Sequence, residues 1–174
     1  GEEDALELFA HHYETGDVLP QELLHKIKKS KNFRSGTNCL RQLTFGYLDM
    51  AWFGQHNNVD NVEEFESKAV EKTMLREQDT PSASISTMFA HIFAGGYSAG
   101  YYSYKWAEVL DADAFEKFQE EGIFNKETAK SFRNNILSQG NIKHPLELYK
   151  NFRGREPKVD ALLKREGLYQ IDKA

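Results

Sequence analysis

A chain of 174 residues, 40% hydrophobic and 13% aromatic, is long enough for one hydrophobic core and too apolar for a disordered protein. Its net charge of −5, with basic residues interleaved among acidic ones, argues against nucleic acid as a partner. No apolar run approaches the roughly 20 residues that cross a bilayer, and the acidic N-terminus is unlike a signal peptide, so no membrane partner is expected.

Apolar residues recur at helical spacing along almost the whole sequence, without strand-like alternation of useful length, so the predicted fold class is all-α. A first helix is predicted from Asp4 to Glu14, and Gly16 suits the left-handed position after its end. A second helix is predicted from Pro20 to Lys29. A long third helix then ends near Gly54, and its apolar stripe should be central to the core; the stripe consists of Leu40, Leu43, Tyr47, Leu48, Ala51 and Trp52.

Caps and loop signals mark the next helices. Asn61, with Glu64 three residues later, has a weakened capping-box arrangement and begins a predicted helix that runs to Arg76. A loop is predicted at 79–82 and a helix at 85–93. A helix from Tyr97 to Val109 should follow the Gly95-Gly96 pair, and 113–121 either continues it or begins again after a kink.

The last third of the chain is predicted to hold three short helices. Asn125 caps one that runs to Leu137, and the others cover 145–152 and 157–166, where prolines favour helix starts. The stops are glycines, at Gly122, Gly140, Gly154 and Gly167. The predicted architecture is therefore one multi-helix lobe over residues 2–174.

The segment 89–108 is unusual because it holds four of the eight tyrosines and three of the twelve glycines. On a helix, Tyr97, Tyr101 and Tyr104 lie on one face together with Glu108. A phenol is a neutral donor that can stabilise an oxyanion, and aromatic walls suit a peptide-binding cleft. The alternative is that these are core aromatics whose hydroxyls find carbonyl partners. Spacing alone leaves both interpretations open.

Gly95-Gly96 marks a predicted hinge, and His91 lies on its other side. A lone histidine near a helix end is more often structural than a ligand or an acid. The other histidines do not predict a metal site, since His11 and His12 are adjacent and point about 100° apart on a helix. Glu22-x-x-His25 is only half of a di-iron signature, and the zinc motif His-Glu-x-x-His is absent from the sequence.

No nucleophile is predicted either. The serines at 82–86 lack a Gly-x-Ser-x-Gly elbow, and the single cysteine, Cys39, lies on the apolar stripe and is predicted to be a buried structural thiol. Gly1 ahead of an acidic helical pattern resembles an expression scar, which leads us to expect that a longer sequence was cut here. A cytoplasmic location is expected and is compatible with a targeting signal upstream.

A longer pattern runs through the tyrosine segment: His91-x4-Gly96-Tyr97-x3-Tyr101-Tyr102-x-Tyr104-x-Trp106-x-Glu108-Val109. Supporting patterns are Phe152-x-Gly154-Arg155-x-Pro157, His12-Tyr13-Glu14-Thr15-Gly16 and Leu48-Asp49-Met50. Together they cover nearly the whole chain. The sequence resembles the C-terminal part of the thimet oligopeptidase family of zinc metallopeptidases, and the branch that it resembles most is that of the peptidyl-dipeptidase Dcp.

The resemblance implies an all-helical peptidase lobe and cleavage of short peptides, in the Dcp branch by release of C-terminal dipeptides. It implies catalytic roles for Tyr104, as donor to the oxyanion of the tetrahedral intermediate, and for His91 nearby. It also implies that Tyr97 and Tyr101 contact substrate, on a loop with Gly95 and Gly96 that moves as substrate binds.

The resemblance further implies that the Zn²⁺ ligands and the general base precede the start of this chain. We therefore expect Zn²⁺ in the full-length enzyme and none on this chain, which should be inactive alone. Expected partners are short peptides and the missing N-terminal and zinc-binding part, with self-association of the fragment as a further expectation. The alternative is a non-enzymatic helical module whose aromatic groove binds a peptide or a partner helix.

Overall fold

The computed structural model describes residues 2–54, 58–75 and 84–169, and for these it confirms the all-α prediction. No β-strand is present in these ranges, which hold one isolated antiparallel bridge between His11 and Val18. The helices are α1 (Glu3–Leu6), α2 (Gln21–Lys31), α3 (Ser35–Phe53), α4 (Val62–Val70), α5 (Ala90–Phe93), α6 (Ser103–Glu121), α7 (Lys126–Phe132), α8 (Pro145–Arg153) and α9 (Asp160–Arg165). Among the helices described, none is long and apolar enough to cross a membrane.

The chain divides into two compact units, one from Gly1–Ser35 with Val109–Ala174 and the other from Gly36–Glu108. We call them the terminal unit and the central unit. The terminal unit has two buried clusters, one from α6 and α9 and one from α6 and α8. In the second cluster the rings of Phe132 and Phe152 meet edge to face at 5.0 Å. That residues 2–174 form a single lobe stays a prediction.

The first predicted helix is wrong beyond Leu6, where α1 ends. The chain instead folds back on itself, because the N–H of His12 donates to the carbonyl of Asp17 and the N–H of Leu19 donates to that of Ala10. These bonds occupy backbone groups that a helix to Glu14 would need. Gly16 has a φ of +74°, so its predicted left-handed conformation is confirmed at the tip of this turn.

Most other helices of the terminal unit agree with prediction. The part of α6 that lies in it runs to Glu121 without a break, and Asn125 caps α7 by accepting the N–H of Glu127 at 2.9 Å. A π-helical turn over Arg133–Leu137 extends α7 to the predicted end. The last helix begins three residues later than Pro157, since the N–H of Lys158 donates to a buried carboxyl group of α6.

In the central unit, the long helix α3 is confirmed, but its predicted buried face is partly wrong. Leu43 and Tyr47 are 37% and 47% exposed, whereas Thr44 and Asp49 are buried beside Leu48. These buried polar groups form hydrogen bonds with residues far along the chain. The buried face of the helix therefore includes polar residues, and a hydrophobic pattern alone does not predict it. Cys39, predicted to be buried, is only half-buried.

Helix α4 begins as predicted, since Asn61 accepts the N–H groups of Glu63 and Glu64. It ends at Val70 rather than Arg76, because the Thr73 hydroxyl and N–H both donate to the Val70 carbonyl. The predicted loop at 79–82 and the predicted helix end at Arg76 lie outside the described residues.

The helix predicted at 85–93 is broken at Phe89, between a 3₁₀ turn (Ser86–Met88) and α5. The turn is held by the buried carboxyl group of Glu66, which accepts the N–H groups of Ile85 and Ser86, both at 2.8 Å. Burial alone would raise the pKa of Glu66, but hydrogen bonds from Ser86 and its neighbours lower it below the ordinary value. The break leaves Phe89 buried in the core of this unit.

Candidate functional site

The turn after α5 requires glycine at two consecutive positions for different reasons. Gly96 has a φ of +78°, which residues with a side chain rarely adopt. A Cβ at Gly95 would lie 2.8 Å from the carbonyl oxygen of His91, so any side chain there would collide with the backbone. The N–H of Tyr97 then donates to that same carbonyl at 3.2 Å. The chain bends at this pair as predicted, and its movement stays a prediction.

The prediction of a helix from Tyr97 is wrong, because α6 begins at Ser103. The N–H groups of Ala99 and Tyr101 are bonded instead to the carboxyl group of Asp49 on α3. Ala99 also has a φ of +52°, which no α-helix accommodates. The tyrosines therefore do not share a helical face: two lie on a loop and one lies on the first turn of α6.

Their rings are nevertheless brought together. The Tyr104 ring lies 5.5 Å from that of Tyr97, nearly stacked, and 5.0 Å from that of Tyr101. The ring of His91 lies 6.1 Å from each of the two loop tyrosines. We call Tyr97, Tyr101 and Tyr104 the phenol cluster. Glu108, predicted on the same face, forms an ion pair with Lys105.

The members of the phenol cluster differ in burial. Tyr97 and Tyr104 are each 40% exposed, whereas Tyr101 is half-buried with its ring against Phe45 and Phe89. A purely structural role as core aromatics therefore fits Tyr101 better than the two others. An exposed pair of phenols beside a histidine can meet a ligand from solvent.

Tyr101 and Tyr104 remain protonated at neutral pH. A hydrogen bond with the Tyr97 hydroxyl, followed by burial and the neighbouring phenols, raises the pKa of Tyr104 above its ordinary value. Burial also raises the pKa of Tyr101, against a smaller lowering by the Arg41 guanidinium. Both hydroxyls can therefore act as neutral hydrogen-bond donors.

The described residues do not fit a zinc ion. Among residues 2–54, 58–75 and 84–169, no group of three or more His, Cys, Asp and Glu side chains is placed to hold a metal. His91 has the rings of Phe89, Tyr97 and Tyr101 around it rather than other ligands. Zinc binding needs three or four convergent nitrogen, sulfur or oxygen donors. That the chain binds no zinc stays a prediction.

Sequence reasoning gave Asp49 no role, although the residue belongs to one of the supporting patterns. The structure places its carboxyl group, 0% exposed, directly beneath the tyrosine loop. The sequence feature that could have indicated a role for Asp49 is its position next to Leu48, as an acidic residue in the apolar stretch of α3. Such a group is costly to bury unless it receives hydrogen bonds, so its position hinted at a partner elsewhere in the chain.

The model of peptidase family M3 matches residues 1–168. The chain belongs to peptidase family M3. Its M3 relatives include oligopeptidase A of Escherichia coli K12, 47% identical over 168 residues that are 96% of this chain and 25% of that protein. They also include dipeptidyl carboxypeptidase of the same organism, 36% identical over 92% of the chain and 24% of the relative. Saccharolysin of Saccharomyces cerevisiae is 32% identical over 90% and 22%.

These relatives confirm the resemblance to the thimet oligopeptidase family and limit what it implies. The identity of 47% to oligopeptidase A exceeds the 36% to dipeptidyl carboxypeptidase, so the expected closeness to the Dcp branch of M3 is only weakly supported. The chain spans about a quarter of the length of these M3 relatives.

Proposed function

We propose that this chain is the C-terminal part of a longer M3 peptidase and that it holds short peptides and stabilises the oxyanion formed during their cleavage. The phenol cluster carries the proposal. It places two exposed hydroxyl-bearing rings and a half-buried third beside His91, in a chain that belongs to a peptidase family. Preorganised donors of this kind are the usual means of stabilising a developing oxyanion.

Each residue has a distinct task in the proposal. Tyr104 donates its hydroxyl proton in a hydrogen bond to the carbonyl oxygen of the scissile peptide as negative charge develops there. His91 lies close enough to the loop tyrosines to add a second polar contact. Tyr97 and Tyr101 contact the substrate beside Tyr104.

Gly95 and Gly96 complete the proposed substrate contacts through their backbone. Because both positions exclude a side chain, for reasons of contact and of φ respectively, a peptide can approach the main chain closely there. These roles come from the resemblance, and the positions of the rings support them.

M3 peptidases are zinc metalloenzymes, and the described residues do not fit zinc. We therefore place the metal ligands and the general base in a part of the protein outside this chain. The isolated chain should bind no stoichiometric zinc and cleave no peptide. Metal analysis after dialysis, together with a quenched fluorescent peptide assay in which the longer protein is the positive control, tests this. One tightly held zinc per chain would contradict it.

Exposed apolar side chains of the terminal unit support a partner for the chain. Leu8, Phe9, Tyr13 and Phe33 are 68%, 71%, 88% and 72% exposed. We propose that the remainder of the same protein covers them and that the isolated chain self-associates through them, because removing exposed apolar surface from water is favourable. A cytoplasmic location stays a prediction.

The experiment that tests the proposed function is product analysis with the longer protein. A peptide with a free C-terminus and its C-terminally amidated twin are incubated with it, and the products are identified by mass spectrometry. Since the identity to oligopeptidase A is the higher one, we expect internal cleavage of both peptides. Dipeptide release from the free form alone would indicate the peptidyl-dipeptidase type instead. Peptide binding without any cleavage would favour the non-enzymatic module.

A further inference from the structure

A buried carboxyl group ties helix α3 to the loop that carries two of the three phenols. Asp49 is 0% exposed, and its Oδ1 accepts the N–H of Ala99 at 2.8 Å. Its Oδ2 accepts the N–H of Tyr101 at 2.9 Å. The two donors flank Gly100, so one side chain fixes the backbone on both sides of a single residue. The second bond is made by the residue whose ring belongs to the phenol cluster.

The loop needs such support because of its own conformation. Ala99 has a φ of +52°, which a residue with a Cβ adopts only when its surroundings demand it. The other bonds of the loop are local: the Ser98 hydroxyl donates to the Ile92 carbonyl and the N–H of Gly100 donates to that of Tyr97. Asp49 is 50 and 52 residues away from its partners, so it supplies a fixed point outside the loop.

We propose that Asp49 is a positioning residue that holds the loop tyrosines against Tyr104, which makes the phenol cluster competent for catalysis. The inference rests on the proposed function, because positioning has a consequence for turnover only if the cluster acts on a substrate. Asp49 is fully buried and acts through Ala99 and Tyr101, so it makes no contact with a peptide.

The sharpest change is Asp49→Asn in the longer protein. The amide has the same shape as the carboxyl group, but it replaces one acceptor oxygen by an NH₂ group. This NH₂ group and the backbone N–H that it faces are both donors, so no hydrogen bond forms between them. One of the two loop bonds is lost and the loop shifts. The matched control is Glu66→Gln, because Glu66 is another buried carboxyl group of this unit that accepts two backbone N–H groups, here those of Ile85 and Ser86.

We expect Asp49→Asn to lower kcat/KM about tenfold or more and Glu66→Gln to change it by less than about twofold, both at a temperature where circular dichroism shows folded protein. A double-mutant cycle separates positioning from a general structural role. If Asp49 acts through the phenol cluster, its effect falls below about threefold in the Tyr104→Phe background, whereas independent effects would multiply. Multiplying effects, or a wild-type kcat/KM in Asp49→Asn, would overturn the proposal.

A second variant covers the case in which Asp49→Asn does not fold. Replacing the Ala99 N–H by an ester oxygen through nonsense suppression with an α-hydroxy acid removes one donor and leaves every side chain in place. It should lower kcat/KM about fivefold. An unchanged value overturns the proposal.

Hydrogen–deuterium exchange gives a readout that needs no activity. Peptides covering 97–103 should exchange about ten times faster in Asp49→Asn than in Glu66→Gln. Equal protection of this segment in the two variants would overturn the inference. If the longer wild-type protein cleaves no peptide, the proposed function fails, and exchange still decides whether Asp49 holds the loop.

Discussion

Tyr104→Phe in the longer peptidase is expected to lower kcat by about 10²- to 10³-fold, since one oxyanion donor contributes about 3 to 4 kcal/mol to transition-state stabilisation. The substitution removes only the hydroxyl and keeps the ring, which stacks on Tyr97 and meets Tyr101. KM should change by less than about threefold, because the bond forms fully only as the oxyanion develops. Steady-state kinetics on a quenched fluorescent peptide measures both constants.

The control for this prediction is Tyr102→Phe. Tyr102 is 57% exposed, and its Cα and Cβ lie beside Gly46 on α3. Loss of its hydroxyl should leave kcat within about twofold of the wild-type value. An unchanged kcat in Tyr104→Phe would remove Tyr104 from the oxyanion role, and equal losses in both variants would point to a general disturbance of the segment.

The pH dependence follows from the raised pKa of Tyr104. The hydroxyl donates a proton only while it is protonated, and its pKa is raised above the ordinary value of 10.0. The donor is therefore present throughout the neutral range and is lost only as the pH rises above that value. If kcat falls as the pH rises just above neutrality, the deprotonation of a group other than Tyr104 must cause the fall.

Much of the helical fold could be predicted because its signals are local. Asn61 and Asn125 cap their helices with their own side chains, and Gly154 ends α8 with a φ of +81°. Each signal depends on residues within one or two turns of the helix end. The periodic apolar pattern between such ends indicates helix irrespective of what the helix packs against.

The tyrosine loop could not be predicted, because its conformation depends on a partner about 50 residues away. Residues 97–109 have helical spacing throughout, and only the bonds that the N–H groups of Ala99 and Tyr101 donate to Asp49 show why the helix starts at Ser103. The same cause explains the misplaced face of α3. A buried carboxyl group is read as polar in a sequence, whereas the fold satisfies it and buries it.

The sequence predicted that the three tyrosines come together, but it did not predict the geometry by which they do so; that they form a functional site stays a prediction. Tyr97, Tyr101 and Tyr104 do come together with His91 beside them, although no common helical face brings them there. Residue spacing alone left a structural role equally open, and the resemblance to a peptidase family supplied the proposed roles. The contribution of Asp49 needed the structure, since neither spacing nor the resemblance assigned it one.

Arg155→Met is expected to destabilise the terminal unit by about 3 to 5 kcal/mol, the usual cost of breaking a buried ion pair from one side. The guanidinium of Arg155 donates two bonds, at 2.8 and 2.6 Å, to the carboxyl group of Asp113, which is 0% exposed. Tyr149 adds a bond at 2.5 Å and the N–H of Lys158 one at 3.3 Å. Without Arg155 the negative charge stays buried with only these two neutral donors.

The matched control is Lys143→Met, which breaks an ion pair with Glu147 of similar length, 2.9 Å, whose partners are 50% and 54% exposed. Exposed pairs contribute at most about 1 kcal/mol, so its urea unfolding midpoint should hardly move. Asp113→Asn should cost less than Arg155→Met, because the group it leaves unpaired, Arg155, is 29% exposed and reaches water. Equal losses in Arg155→Met and Lys143→Met would show that the buried pair stabilises no more than a surface pair.

The pH dependence of the same loss gives an independent check. Burial alone would raise the pKa of Asp113, but the hydrogen bonds from Arg155 and Tyr149 lower it below the ordinary 3.8. The wild-type chain therefore has this stabilisation above pH 3.8 and loses it as the pH falls through the lowered value. In Arg155→Met the lowering by Arg155 is lost, so Asp113 takes up a proton at a higher pH than in the wild type and is relieved of its buried charge sooner. The difference in unfolding free energy between the two proteins should therefore shrink as the pH falls from 7 towards 3.8, and a constant difference would mean that Arg155 stabilises the fold by packing rather than by charge.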